Sequence, residues 1–211
     1  MTPARRAPEA TADLRAELAA AARDIVAREG PAGLTMRSLA AEAGCSVGLV
    51  YKVFDDRADL VAAVIAAEYV RLTQGFDALV DAAGTGTVGD NLAAWAALLL
   101  DSPAIALARD VADIADVERV ATVTDAVARD VGLVTRIEGS VVDYLTAEQR
   151  LGRVAAQVDA AAVGFLIAGA VHNLLVAGDL YPRPSRAELR RMLASLGDLV
   201  TSPTPSEEQT P

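Results

Sequence analysis

The sequence predicts an all-α protein in which three N-terminal helices are followed by a larger helical domain. Two observations predict it. Of 211 residues, 53% are hydrophobic but only 4% are aromatic, so Ala, Leu and Val carry the apolar surface, a composition suited to closely packed helices rather than sheets. Apolar residues also recur at i, i+3, i+4 and i+7, and β-branched residues fall inside that spacing instead of alternating as in a strand. The length suffices for one large or two small domains with a buried core.

Each element can be justified in turn. Residues 1–10, rich in Pro, Ala and Arg, and residues 201–211, TSPTPSEEQTP, read as disordered tails. The first helix is predicted to begin after Thr11, whose hydroxyl can cap it; it aligns Leu14, Leu18, Ala21, Ala22, Ile25 and Val26 and stops at Gly30-Pro31. Thr35 can cap a second helix carrying Met36, Leu39, Ala40 and Ala43, which ends at Gly44, and Ser46 can cap a third from Val47 to Phe54. A long amphipathic helix over 57–83 shows Leu60, Val61, Val64, Ile65, Tyr69, Leu72, Phe76, Leu79 and Val80 on one face, up to the breaker run Gly84-Thr85-Gly86. Further helices are predicted near 88–101, 103–114, 118–150, 157–178 and 186–200. They are divided by Pro103, the acidic stretch around Asp116, Gly152 and Tyr181-Pro182-Arg183-Pro184. Residues 160–178 carry no charge, but His172 and Asn173 interrupt them and Ala and Gly dilute their hydrophobicity, so they read as a buried or interfacial helix rather than a membrane span.

Composition excludes several functions. The net charge of −10 argues against a chain that coats nucleic acid or anionic membrane with its whole surface. The acidity is uneven, with 8 basic and 9 acidic side chains in residues 1–60 against 11 and 20 in the remainder, which leaves room for a local basic face. One Cys and one His rule out a disulfide framework and a His/Cys zinc cluster within one chain, and fit a reducing cytoplasm. The N-terminus lacks the apolar core of a signal peptide. Residues 61–200 hold no nucleophile–base–acid set, no phosphate-cradling glycine loop and no metal-ligand spacing, so no catalytic residue, metal or cofactor is expected.

Two helices joined by a glycine turn, the second capped by Ser46, satisfy the outline of a helix-turn-helix. The wording from Gly30 to Ile65, GPAGLTMRSLAAEAGCSVGLVYKVFDDRADLVAAVI, resembles the N-terminal DNA-binding domain of TetR-family transcriptional regulators. The match rests on Thr35, Leu39-Ala40, Ala43-Gly44, Ser46, Gly48, Tyr51 with Phe54, and a basic residue and Leu60 opening the next helix. Cys45, Leu49, Val53 and Asp55-Asp56-Arg57 depart from the family pattern. Leu49 removes a hydroxyl that could meet phosphate and the aspartates bring negative charge near the DNA surface, which points to altered operator choice or weaker affinity. The resemblance implies a helix-turn-helix domain over 11–56 and an effector-binding and dimerisation domain over 57–200. It implies a homodimer on an inverted-repeat operator of double-stranded DNA, probed by two recognition helices about 34–36 Å apart.

Physical roles can be assigned to individual residues. Backbone N–H groups after Thr35 and Ser46 can hold phosphate oxygens at helix starts. Tyr51 offers a hydroxyl to phosphate, Lys52 (the single lysine) and Arg57 supply charge, and Gly48 lets the helix lie close against the groove. Val47 and Leu49 can reach thymine methyls, and Arg37 and Lys52 can reach guanine O6 and N7. Val50 and Phe54 are expected on the opposite face, packed against Leu39 and the first helix. Cys45 reads as a small buried hydrophobe rather than a redox sensor.

In the larger domain, sparse aromatics scattered among alanines can frame a cavity, although ordinary core packing would use the same residues. The candidates for contact with a mostly apolar small effector are Tyr69, Phe76, Trp95, Leu99, Tyr144, Phe165, His172 and Asn173. His172 and Asn173 also fit a core or interface role. Gly164, Ala168 and Gly169 permit close helix contact, and Leu189, Met192, Leu193, Leu196, Leu199 and Val200 give the last helix an apolar stripe, compatible with the dimer that the resemblance implies. The runner-up reading is a helical ligand- or partner-binding dimer whose DNA-binding domain is vestigial.

Overall fold

The computed structural model describes residues 6–110, 117–176 and 184–201. Among these are ten α-helices and no β-strand: α1 (Arg6–Glu29), α2 (Met36–Glu42), α3 (Val47–Val53), α4 (Arg57–Asp81), α5 (Val88–Leu100), α6 (Pro103–Asp110), α7 (Val117–Asp130), α8 (Leu133–Arg150), α9 (Ala160–Val176) and α10 (Arg186–Val200). A 3-10 turn, Pro31–Gly33, joins α1 to α2. The expected C-terminal tail, the stretch around Asp116 and the Tyr181–Arg183 part of the last break lie outside the described residues.

Two expectations need correction. The first helix starts at Arg6 rather than after Thr11. Ala, Glu and Arg are good helix formers, and Pro8 falls in the first turn, where its missing N–H would have had no partner anyway. The helix predicted over 118–150 is two helices, broken where Gly132 takes a φ of 63°.

The chain forms two compact units that do not follow a single cut in the sequence. The first combines the described parts of residues 1–72 and 101–133, with α1–α3, the opening of α4, α6 and α7. Its core holds Leu18, Ala22, Ile25 and Val26 of α1, Leu39 of α2, Val50, Phe54, and Leu60, Val61, Val64 and Ile65 of α4. Ala104, Leu107 and Val120 of α6 and α7 belong to the same cluster. Cys45 packs half-buried against it. Burying each Leu, Ile or Phe stabilises the fold by roughly 1.5–3 kcal/mol before entropy is counted.

The second unit, built from residues 73–100 and 134 onward, contains the end of α4 with α5, α8, α9 and α10. Here α5 and α10 cross at glycines. A Cβ on Gly197 would lie 2.5 Å from Gly89 N, and one on Gly89 2.5 Å from the Ala194 Cα, so the two backbones meet at a separation no side chain permits. Two interior polar pairs are hydrogen-bonded: Trp95 Nε1 donates to Ser140 Oγ at 3.1 Å, and Asn91 Nδ2 donates to the Tyr144 hydroxyl at 3.0 Å. Burial pushes the Tyr144 phenol well above its usual range. Glu148, fully buried, stands 3.2 Å from Arg153 Nε. The stretch Val88–Ala108 is long and apolar enough to cross a membrane by length and composition, yet the helix is broken between Leu100 and Pro103.

Candidate nucleic-acid interface

The geometry of α2 and α3 is set by short-range hydrogen bonds. Thr35 Oγ1 accepts from Ser38 N at 3.0 Å while Thr35 N donates to Ser38 Oγ at 2.9 Å, a reciprocal capping box that fixes the start of α2. The helix ends in a Schellman motif: Cys45 N donates to Ala40 O at 2.9 Å and Gly44 N to Ala41 O at 3.2 Å. Gly44 sits at φ 62°, a left-handed conformation that any side chain would strain. Two residues later Ser46 Oγ accepts from Leu49 N at 3.2 Å and starts α3. A seven-residue helix is marginal alone, so α3 depends on this cap and on Val50 and Phe54, both fully buried.

That anchoring leaves the opposite face open. Val47, Gly48, Tyr51 and Lys52 are exposed, with Tyr51 56% accessible, and Leu49 is half-buried between the two faces. Thr35, Arg37 and Ser46 are exposed as well. The structure therefore brings eight of the nine candidate DNA-contacting residues to one accessible helix pair or its caps. Arg57 differs: it is half-buried, and its Nε and Nη2 donate to Leu34 O and Pro31 O, each at 3.4 Å, which ties the start of α4 to the loop before α2.

Sequence reasoning missed a set of charges behind α3. Arg15 Nη1 donates to Val53 O at 2.7 Å, its Nη2 donates to Asp59 Oδ1 at 2.5 Å, and its guanidinium lies 4.6 Å from the Phe54 ring centroid. Burial raises the Asp59 carboxyl, but the Arg15 bond and the Asp55 N–H outweigh it and hold the group below the usual range. Asp56 is likewise held low, chiefly by hydrogen bonding from Arg119 of α7. These partners stand 38 to 63 residues apart in the chain, so periodicity carried no signal of them.

The effector candidates are dispersed. Phe76 and Trp95 are buried together, ring centroids 6.4 Å apart, with Leu99 and Tyr144 buried in the same unit. Tyr69 is half-buried in the other unit. Phe165, His172 and Asn173 are exposed on α9, Phe165 to 63%. The second unit contains a cavity of about 230 Å³ between α4 and α5, lined by Gly75, Ala78, Leu79, Ala82, Asn91, Ala94, Trp95 and Leu98. Of the eight candidates only Trp95 lines it. The others were findable, since 75, 78, 79, 82 and 91, 94, 95, 98 are each a one-face helical stripe. Asn91 supplies its one side-chain amide, which also donates to Thr85 O at 2.9 Å. Among the described residues no group of three or more His, Cys, Asp or Glu is placed to hold a metal ion.

Comparison with known proteins agrees with this geometry. Residues 18–64 match the family model for bacterial regulatory proteins of the tetR family. A search of curated protein sequences returns no relative. Among solved structures, Escherichia coli NemR in its reduced form superposes with a TM-score of 0.59 at 16% identity, covering 92% of this chain and 100% of that one. A TetR-family transcriptional regulator from Pectobacterium atrosepticum superposes with a TM-score of 0.54 at 22% identity, covering 92% and 95%. A TetR regulator from Streptomyces coelicolor gives 0.51 at 19% identity, covering 89% and 98%. Residues 18–64 therefore match the N-terminal domain of the tetR family of bacterial regulatory proteins, and the described chain shares its all-α fold with solved TetR-family regulators along most of its length.

Proposed function

We propose that the protein is a cytoplasmic, homodimeric repressor that occupies an inverted-repeat operator and leaves it when a mostly apolar small molecule binds the second unit. The observation that carries the reading is the two-sidedness of α3, with Val50 and Phe54 fully buried and Val47, Gly48, Tyr51 and Lys52 turned to solvent. A helix anchored by one face and capped at its start presents its other face rigidly, as insertion into a major groove requires. Tyr51 and Lys52 meet phosphate, while Val47, Leu49 and Arg37 read base edges.

Dimerisation is supported by α9 and α10. Phe165 and Leu166 on α9 and Met192 and Leu199 on α10 are large and exposed, Leu199 to 80%, and apolar area of this kind is usually covered by a partner. A second copy covering both helices would set the spacing of two recognition helices. The effector reading rests on the cavity beside Trp95, almost wholly apolar with Asn91 as its orienting amide. Effector-linked release in such systems amounts to about 5- to 150-fold in affinity.

The test is selection of duplexes from a random pool by the wild-type protein, followed by gel retardation at several salt concentrations. Specific retardation of an inverted repeat that Tyr51→Ala and Lys52→Ala abolish or weaken supports the repressor. Retention of no duplex, together with an intact dimer, supports a partner- or ligand-binding dimer with a vestigial DNA-binding domain, a reading favoured by the inward-turned Arg57 and the exposed Asp55.

A further inference from the structure

A continuous run of charge-assisted hydrogen bonds leads from the last residue of α3 to α7. Val53 O, at the end of α3, accepts from Arg15 Nη1 at 2.7 Å. Arg15 grips Asp59 through Nη2 at 2.5 Å and Nη1 at 3.2 Å, and Asp59 Oδ2 accepts from Asp55 N at 3.1 Å in the turn between α3 and α4. Asp59 N in turn donates to Asp56 Oδ1 at 2.9 Å, so Asp56 caps the start of α4. Arg119 Nη2 bridges both oxygens of Asp56 at 2.7 and 2.6 Å. Every link lies within the first compact unit, whose core also takes in Val120, the neighbour of Arg119.

We propose that Arg119 is a positioning residue for DNA reading. Through Asp56, Asp59 and Arg15 it fixes the exit of the recognition helix and makes operator affinity depend on the placement of α7. The inference rests on the DNA-binding reading above. It assigns a purpose to Asp56 opposite to the simplest one: an acidic group beside a DNA-binding helix repels phosphate, so its removal would tighten binding, whereas a member of the positioning run weakens binding when lost. The Arg119–Asp56 pair is exposed on both sides, 43% and 46%, and contributes little to global stability. Its loss therefore registers in affinity rather than in unfolding.

The experiment uses the full-length protein and the duplex retained by wild type from a random pool, with affinity measured by fluorescence anisotropy across a salt series. Asp56→Asn keeps a good helix cap and removes the charge. We expect Asp56→Asn and Arg119→Ala each to weaken binding about two- to fivefold, the range of one exposed ion pair. The slope of log K against log salt stays at the wild-type value, because neither side chain contacts phosphate, and the double variant is no weaker than the worse single one. Tighter binding by Asp56→Asn overturns the proposal, as does a slope for Arg119→Ala shallower by about one, the mark of a lost phosphate contact. Wild-type affinity in both variants also overturns it. If wild type itself retains no duplex, the DNA-binding reading fails instead; wild-type binding with indifferent variants removes only the role of Arg119.

Discussion

Replacing Gly197 with alanine sets helix propensity against a contact between two backbones. In a helix interior alanine is favoured over glycine by about 1 kcal/mol, an upper bound at Gly197, which stands in the last turn of α10 (Arg186–Val200). The new Cβ, however, would stand 2.5 Å from Gly89 N and 2.8 Å from Gly89 Cα, where carbon contacts normally settle near 3.5–4.0 Å. The obstacle is backbone rather than the end of a flexible side chain, so α5 and α10 must separate by roughly an ångström, and separation loosens Leu193 and Val200, both buried on α10. Overpacking of this kind costs about 1–3 kcal/mol, with the rigid neighbour placing it in the upper half. The net expectation is destabilisation by about 1–2 kcal/mol, or a Tm lower by about 2–8 °C for a chain of this length. The control is Gly139→Ala in α8, where a Cβ meets nothing within 4 Å and the propensity gain should appear undiminished. Thermal unfolding followed by circular dichroism, at fixed protein concentration, measures both. If Gly197→Ala stabilises the protein as Gly139→Ala does, the account of a glycine-mediated crossing is wrong.

Three further outcomes are expected. Phe54→Ala removes a fully buried ring that also carries the Arg15 guanidinium at 4.6 Å, so urea denaturation should report a loss of about 3–5 kcal/mol; a loss below about 1 kcal/mol would mean that α3 is not anchored there. Acid should destabilise the first unit. Asp59, the less exposed of the two acids, holds its proton more weakly when folded than the ordinary value of 3.8, so its contribution is present above that pH and is lost as pH falls through the lower folded value; urea midpoints between pH 5 and pH 3 should fall less in Asp59→Asn than in wild type. Lys52→Ala should reduce the salt slope of operator binding by about one while leaving Tm nearly unchanged, and an unaltered slope would remove Lys52 from the phosphate contacts.

Features set by neighbouring residues were legible before any coordinates. Thr35, Gly44 and Ser46 announce caps and a turn because their hydrogen bonds reach only three to five residues along the chain, and the buried pair Val50 and Phe54 follows from helical spacing. Other features were hidden for physical reasons. Gly132 breaks the chain between α7 and α8 inside a run of valines that keeps helical spacing on both sides, so one helix was expected where there are two. Residues 160–176 are apolar nearly all round, which leaves the inward face undetermined from sequence; Ile167 and Val171 turn in while Phe165 and Leu166 turn out. Bulky rings drew attention to Phe76 and Tyr144, which fill the core, whereas the cavity is walled largely by alanines and a glycine whose significance lies in what they leave empty. The pairing of Arg119 with Asp56 depends on folding across 63 residues and has no local signature.

Entry of α3 into a major groove twice per symmetric assembly is tested most directly by hydroxyl-radical footprinting of wild-type protein on its selected duplex. Two protected patches are expected on one face of the duplex, centred about 10 base pairs or a multiple of that apart and related by the inverted repeat. A single patch, or uniform protection indifferent to sequence, would contradict it.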